Sequence, residues 1–219
     1  MKQKLLYALV VSPARVTVPM CVGATLLLSA TAQAQNLFVG TGTNSITQFT
    51  PGGAQSTFVS GLNRPYGLAF NSAGALFETD SGSGNIYKFM PGGAQSIFAS
   101  GIGFAAGLAF NSAGNLFVAD AASGNIYEYT PDGIQSTFAS GLNRPIALAF
   151  DRAGNLFETD NGSGNIFEFT SDGTQSTFAS GWFALAQMAI PGDLPVPEPS
   201  TWSVLGISGL ALLGLRRRN

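Results

Sequence analysis

The chain has 219 residues, a formal net charge of −2, no histidine and a single cysteine. The lack of histidine removes the commonest general base and metal ligand from any catalytic scheme. Only 10% of the residues are charged, against about 25% in ordinary globular chains, so the polar surface must come from Ser, Thr, Asn, Gln and Gly.

The first 34 residues have the order of a secretory signal peptide. Lys2 and Lys4 begin a weakly basic segment, an apolar stretch follows over residues 16–30, and Ala32 and Ala34 supply small residues at a cleavage site. The stretch is shorter than the ~20 residues of a spanning helix, so an N-terminal anchor is the less favoured alternative. Cys21 would leave with this segment, so the mature chain is expected to have no thiol.

The remainder, residues 35–196, is mildly acidic. It contains four basic and eleven acidic residues, a net charge of −7. A domain with so few basic side chains is a poor candidate for binding nucleic acid.

A repeat of about forty residues runs through this acidic part. The segment Gly67–Phe70 recurs at residues 107–110 and, with Ala147 in place of the glycine, at residues 147–150. The tripeptide Gly84-Asn-Ile recurs at Gly124 and Gly164. Each unit is predicted to have four short strands, a to d, with strand b over 76–80, 116–120 and 156–160. This period and strand number are typical of β-propeller blades.

The two ends of the repeat array are incomplete in a complementary way. Asn36 opens a unit that lacks strand a, and residues 187–190 form a lone strand a forty residues after 147–150. The pattern predicts an all-β, four-bladed β-propeller of about 16 antiparallel strands over residues 35–192, with one closing blade split between the termini. A single ring is favoured over a ring of eight blades built from two chains.

The best repeat resembles a known family. Residues 107–120, continuing through Asn125 and Ile126, look like an NHL repeat and like the wider group of gluconolactonases and streptogramin lyases. The resemblance implies a propeller fold, although six blades are usual in those relatives. It also implies that a lactonase-like site would use a metal held by carboxylate and amide ligands.

One face of the predicted propeller carries a set of polar residues. The d–a loops and the ends of strand b lie on the same face, which gathers seven candidate ligand-binding residues: Asn63, Arg64, Asp80, Asp120, Asn143, Arg144 and Asp160. Converging polar groups at such a mouth are the default site, and carboxylate and amide oxygens suit calcium. The favoured alternative is structural, with the aspartates capping turns and the arginines pairing with Asp80 and Asp160.

An enzyme is hard to build from these residues. There is no Ser–His or Cys–His pair, no phosphate loop and no zinc-ligand spacing. A streptogramin-lyase mechanism, which depends on histidine in that family, is not expected. No catalytic residue and no cofactor is predicted, and a calcium-dependent lactonase is the alternative.

The C-terminal segment, residues 193–219, resembles a PEP-CTERM sorting signal. Pro197, Glu198 and Pro199 are followed by an apolar segment over 202–215 and then by three arginines, Arg216, Arg217 and Arg218. The resemblance implies a short transmembrane helix, processing by an exosortase after signal peptidase, and a Gram-negative host that makes exopolysaccharide. Arginines after an apolar helix stay in the cytoplasm, so the propeller is expected outside it, passing the inner membrane transiently.

These observations predict a protein of the cell envelope or the secreted matrix. The first hypothesis is a non-enzymatic binding module at the cell surface or in exopolysaccharide. A purely architectural matrix protein without a discrete ligand is another, and the two differ in whether the polar face binds anything.

Overall fold

The structure, a computed structural model, describes residues 36–182 and residue 188. The predicted signal peptide, the predicted closing strand except Met188, and the predicted sorting helix lie outside the described residues. Within these residues no helix has the length and hydropathy needed to span a bilayer. All regular structure described is β, arranged in four antiparallel sheets.

Each sheet corresponds to one repeat of the sequence. Sheet 1 contains β1 (Leu37–Gly40), β2 (Ser45–Phe49) and β3 (Gln55–Ser60). Sheet 2 contains β4 (Pro65–Phe70), β5 (Leu76–Asp80), β6 (Asn85–Phe89) and β7 (Gln95–Ala99). Sheet 3 contains β8 (Ala105–Phe110), β9 (Leu116–Asp120), β10 (Asn125–Tyr129) and β11 (Gln135–Ala139). Sheet 4 contains β12 (Pro145–Phe150), β13 (Leu156–Asp160), β14 (Asn165–Phe169) and β15 (Gln175–Ala179).

The strands of each sheet pair in chain order, as strands a, b, c and d. Sheet 1 has strands b, c and d among the described residues. The predicted limits of strand b are confirmed in sheets 2, 3 and 4. The all-β, four-bladed propeller architecture predicted from the repeat is therefore confirmed.

Short polar side chains form the hairpin between strands a and b. In sheet 2 the Asn71 side-chain oxygen accepts hydrogen bonds from the backbone N–H groups of Ala73 and Ala75. Gly74 completes the turn at a φ of 77°, a conformation that glycine adopts without steric cost. Asn111 repeats the arrangement in sheet 3.

The sheets pack face to face around their a strands. Strand β8 contacts β4 on one side and β12 on the other, and β1 contacts β4. A Cβ atom on Gly67 would lie 2.7 Å from the Ala106 carbonyl oxygen, so only glycine permits this approach. The Thr79 hydroxyl accepts a bond from Gly67 N–H and donates one to Ala106 O, which joins sheet 2 to sheet 3.

The four sheets follow one another as an arc. Sheet 1 packs on sheet 2, sheet 2 on sheet 3 and sheet 3 on sheet 4. Among the described strands, sheets 1 and 4 have no comparable contact with each other. The contacts between neighbouring sheets run through strand a of the following sheet, and strand a of sheet 1 lies outside the described residues apart from Met188.

Candidate functional site

The d–a loops lie against the b–c turns, as the sequence predicts for one common face. The carbonyl oxygen of Asn63 accepts the N–H of Gly82 at 2.8 Å, and the carbonyl of Arg64 accepts the N–H of Ser81 at 3.2 Å. The loop that contains Asn143 and Arg144 makes the same pair of bonds to sheet 4. Each crossing loop is thus held in place by the turn below it.

Two of the predicted aspartates hold these loops through backbone N–H groups. Asp80 is buried, and its carboxylate accepts hydrogen bonds from Asn63 N–H at 2.6 Å and Ser83 N–H at 3.0 Å. Asp160 is equally buried and accepts bonds from Asn143 N–H at 2.6 Å and Ser163 N–H at 2.9 Å. Their oxygens are therefore engaged by the fold.

Asp120 has the same role with a different loop. Its carboxylate accepts bonds from Phe104 N–H at 2.9 Å, from Gly103 N–H at 3.2 Å and from the Ser123 hydroxyl at 2.8 Å. Burial alone would favour the neutral acid, but these donors outweigh it and hold the pKa of Asp120 below its usual value. Within the described residues, acidic side chains form no group of three that could hold a metal ion.

The two predicted arginines have a strained backbone. Arg64 has a φ of 64° and Arg144 a φ of 60°, and every other positive φ in the described chain belongs to glycine. The left-handed region is costly for a long side chain. Both side chains are exposed, and among residues 36–182 and 188 neither guanidinium forms an ion pair with a carboxylate.

An aromatic pair lies between the arginines. The rings of Tyr66 and Phe104 meet edge to face with centroids 5.9 Å apart, and the Arg64 guanidinium carbon is 6.0 Å from the Phe104 centroid. Burial raises the pKa of Tyr66, while the nearby positive charge of Arg144 acts in the opposite direction. These four residues, Arg64, Tyr66, Phe104 and Arg144, form what we call the mouth cluster.

Sequence reasoning identified the arginines of the mouth cluster but missed its aromatic members. The signal was present, because Phe104 stands forty residues after Arg64 and forty before Arg144, at the same place in the d–a loop. The amide side chains of Asn63 and Asn143 lie instead against Gly82 and Gly162, where a Cβ atom would collide with them. The two asparagine side chains therefore pack on the b–c turns and are not part of the mouth cluster.

Two buried carboxyl groups lie outside the mouth cluster. Glu78 and Glu158, on strand b of sheets 2 and 4, are 0% exposed, and their carboxyl oxygens have no hydrogen-bond partner in the described part of the chain. Burial, with a smaller contribution from the neighbouring Asp80 or Asp160, raises the pKa of each to about 9. Both are therefore neutral near pH 7.

The axis of the arc contains a narrow cavity between strands a. Its walls are backbone and apolar side chains, including Leu68, Leu108, Leu148 and Met188, with Tyr66 at its edge. It has no carboxylate or cation in its described lining. Charged groups that could orient a ligand lie at the mouth and not in this cavity.

The C-terminal segment matches the family model of the PEP-CTERM protein-sorting motif over residues 195–218. The predicted Pro-Glu-Pro sequence and the three arginines at 216–218 fall within that range, and the resemblance inferred from them is confirmed. The motif directs an exported protein to membrane-anchored sorting in the cell envelope and processing by an exosortase. No curated protein is significantly similar to this chain.

Solved structures with the same fold are β-propeller proteins of different activities. Virginiamycin B lyase from Staphylococcus aureus is 18% identical, with a TM-score of 0.57 over 68% of this chain and 54% of its own. A chain of the nidogen–laminin complex is 24% identical, with a TM-score of 0.59 over 66% of this chain and 60% of its own. A proposed gluconolactonase is 18% identical, with a TM-score of 0.56 over 63% of this chain and 56% of its own.

The likeness to these structures concerns the fold. This chain spans between about half and three fifths of the neighbours' lengths. The neighbours include lyases and a protein from a complex of nidogen and laminin, so the shared architecture accommodates both catalysis and binding. The function of this chain therefore depends on its own residues.

Proposed function

We propose that this protein is a non-catalytic binding module, exported and sorted to the cell envelope, that holds an anionic polysaccharide at the mouth cluster. The observation that carries the proposal is the pair of exposed arginines, free of carboxylate partners within the described chain, beside Tyr66 and Phe104. The sorting motif supports a location outside the cytoplasm, where such polymers occur.

The backbone of the arginines favours a functional role over a structural one. A structural requirement for positive φ at these positions would be met best by glycine, which serves at every other such position described. Arginine adds strain without an ion pair to offset it. Each arginine instead places a cation on the outer side of its loop, and its backbone carbonyl group anchors that loop to the neighbouring turn.

The chemistry of the mouth cluster suits an acidic sugar. A guanidinium group forms paired, charge-assisted hydrogen bonds with a carboxylate. The faces of Tyr66 and Phe104 offer apolar surface that can pack against a sugar ring, and Tyr66 adds a hydroxyl group. The domain carries a net charge of −7 over residues 35–196, so most of its surface repels an anionic polymer. Contact is therefore expected at the local positive region that the two arginines form.

Export and processing complete the proposal. Signal peptidase would remove residues 1–34, and an exosortase would act near Pro197 to Pro199 after transient insertion of the C-terminal segment in the inner membrane. The arginines at 216–218 would remain on the cytoplasmic side. The propeller would then be released to the surface or the matrix.

Binding of the full chain to polygalacturonate, with neutral dextran for comparison, tests the proposal. We expect Arg64→Gly with Arg144→Gly to weaken binding about 10-fold or more, because each lost charged hydrogen bond is worth about 1.5–3 kcal/mol. The same change should keep or raise the melting temperature, since glycine relieves the left-handed strain. Arg152→Ala, on the opposite a–b turn, is the control and should leave binding unchanged.

Other outcomes favour the other hypotheses. Equal binding by wild type and the double glycine variant would overturn the proposal and leave an architectural matrix protein. The lactonase alternative requires carboxylates that are available to a metal ion. All three predicted aspartates already accept backbone N–H groups, which supports the non-catalytic role.

A further inference from the structure

The propeller has two faces that its loops distinguish. The d–a loops and the b–c turns lie on the mouth face, which carries the mouth cluster, and the a–b and c–d turns lie on the opposite face, which we call the base. The two kinds of turn meet at the base: a Cβ atom on Gly74 would lie 3.8 Å from Pro91, and one on Gly114 would lie 3.9 Å from Pro131. Strand a of sheets 2, 3 and 4 therefore runs from the mouth face to the base.

The chain takes the same direction after the last described strand. The N–H of Trp182 donates to the carbonyl of Gly164 in a b–c turn at 3.0 Å, as the N–H of Leu142 does one sheet earlier, so Trp182 lies on the mouth face. Six residues later Met188 lines the axial cavity together with Leu148, which stands six residues after Leu142. From the mouth face the chain therefore enters the axis, as it does at the start of each other a strand.

Little chain separates this point from the sorting motif. In sheet 4, Leu148 lies two residues before the end of strand a at Phe150, where the base begins. The sorting motif begins at residue 195, seven residues after Met188. Seven residues span at most about 25 Å even when fully extended. The start of the motif is therefore confined to the neighbourhood of the axis.

A return to the mouth face exceeds that reach. The axial cavity has a volume of about 50 Å³, which is enough for water but not for a second stretch of chain. A path around the outside must first cross the four strands of a sheet, about 14 Å at the usual strand spacing, and then run the length of a five-residue strand, about 17 Å. The start of the motif at residue 195 therefore lies on the side of the base.

We propose that the sorting segment leaves the propeller at the base, so that the base is turned to the membrane during membrane-anchored sorting and the mouth cluster is turned away from it. The exit point of the chain sets this orientation. The mouth cluster is then open to a polymer outside the cell, while an exosortase acts at Pro197 to Pro199 on the other side of the domain. The inference goes beyond the proposed binding function, because it depends on the sorting motif and on no ligand.

Energy transfer to a labelled lipid tests the inference. The full chain with Cys21→Ser is expressed in a host without an exosortase and reconstituted in phosphatidylcholine vesicles that contain a rhodamine-labelled lipid. A donor dye is attached at one of four exposed positions, two at the base and two on the mouth face: Ser72→Cys, Ala153→Cys, Ser83→Cys and Ser163→Cys. Each face is labelled on sheet 2 and on sheet 4, so that a tilt of the domain does not imitate the expected result.

We expect both base labels to transfer more energy than both mouth-face labels, because they lie nearer to the lipid by about the length of a strand, 17 Å. Equal transfer from the two faces, or greater transfer from the mouth face, would overturn the inference. 

A long Gly-Ser insert between residues 194 and 195 is the control, and it should reduce the difference between the faces. A difference that the insert leaves unchanged would mean that the base itself adheres to lipid, which also contradicts the inference. Vesicle flotation and circular dichroism verify insertion and β structure in each variant. Because no polymer is present, the result is independent of binding to polygalacturonate.

Discussion

Residues of the same type have different roles in this fold because their surroundings differ. Asp80 and Asp120 are acceptors for loop N–H groups, whereas Glu78, two residues before Asp80, is buried without a hydrogen-bond partner in the described chain. The N–H of Tyr66 lies near enough to favour the charged form of Glu78 slightly, but burial dominates and raises its pKa. Val118 takes the equivalent buried place in sheet 3, so one sheet fills this position with an apolar side chain.

The buried glutamates make stability depend on pH. Their pKa is raised from 4.5 to about 9 in the folded chain, so between these pH values the folded state holds protons that the unfolded state has lost. The contribution of these groups to the free energy of unfolding should therefore be largest below pH 4.5. It should fall by up to about 1.4 kcal/mol per pH unit for each glutamate as the pH rises to about 9. Urea denaturation from pH 5 to 8 measures this slope.

Neutral substitutions identify the groups responsible for that slope. Glu78→Gln with Glu158→Gln should flatten it, since glutamine has no proton to lose. Glu168→Gln, at a half-buried position on strand c, is the matched control and should leave the slope in place. A slope that survives the double substitution would show that other groups cause it.

The elements are joined by loops whose geometry depends on close backbone contact. The N–H of Leu142, in the loop after sheet 3, donates to the carbonyl of Gly124 in the b–c turn at 3.0 Å. Gly84 and Gly164 accept the same bond from Ile102 and Trp182. Each crossing loop therefore depends on a turn with no room for a side chain.

Substitution of Gly124 should test this dependence. A Cβ atom there would lie 2.2 Å from the Leu142 carbonyl oxygen, and the φ of 72° is unfavourable for other residues. We expect Gly124→Ala to lower the free energy of unfolding by roughly 3 kcal/mol. Gly141→Ala, with a φ of 78° and no atom within 4 Å of the added carbon, should cost only about 1 kcal/mol. Similar values for both in chemical denaturation would mean that backbone strain alone determines the loss.

At the scale of the whole molecule, one face of the propeller contains both the anchored d–a loops and the exposed side chains of Arg64 and Arg144. The aspartates hold the loops and the mouth cluster faces outward from them, so stability and binding are assigned to different side chains of the same loops. The fold accordingly does not need a metal ion to order this face, and calcium remains a proposal that a melt can decide.

Thermal melts of the full chain with calcium and with chelator should coincide. Calcium at 100 times its dissociation constant would add about 2.7 kcal/mol to the free energy of unfolding. Each kcal/mol raises the melting temperature of a domain of this size by roughly 2–4 °C. Because the carboxylates of Asp80, Asp120 and Asp160 are already occupied by N–H donors, we expect no rise. A clear rise with calcium would make these residues metal ligands and revive the lactonase alternative.

The architecture could be predicted from the repeat, because one pattern of apolar and turn residues recurs every forty residues. Strand b, the glycine turns and the sorting motif at 195–218 were all predicted from local patterns. These features depend on neighbours in the chain: alternating side chains, left-handed glycines and an ordered C-terminal motif.

The roles of the polar residues depend on contacts between elements that are distant in the sequence. Whether Asp80 faces a ligand or the N–H of Asn63, and whether Phe104 joins two arginines, depends on how one sheet's loop meets another's turn. A linear repeat specifies each blade, but the position of each loop against the neighbouring turn depends on packing contacts between residues that are distant in sequence.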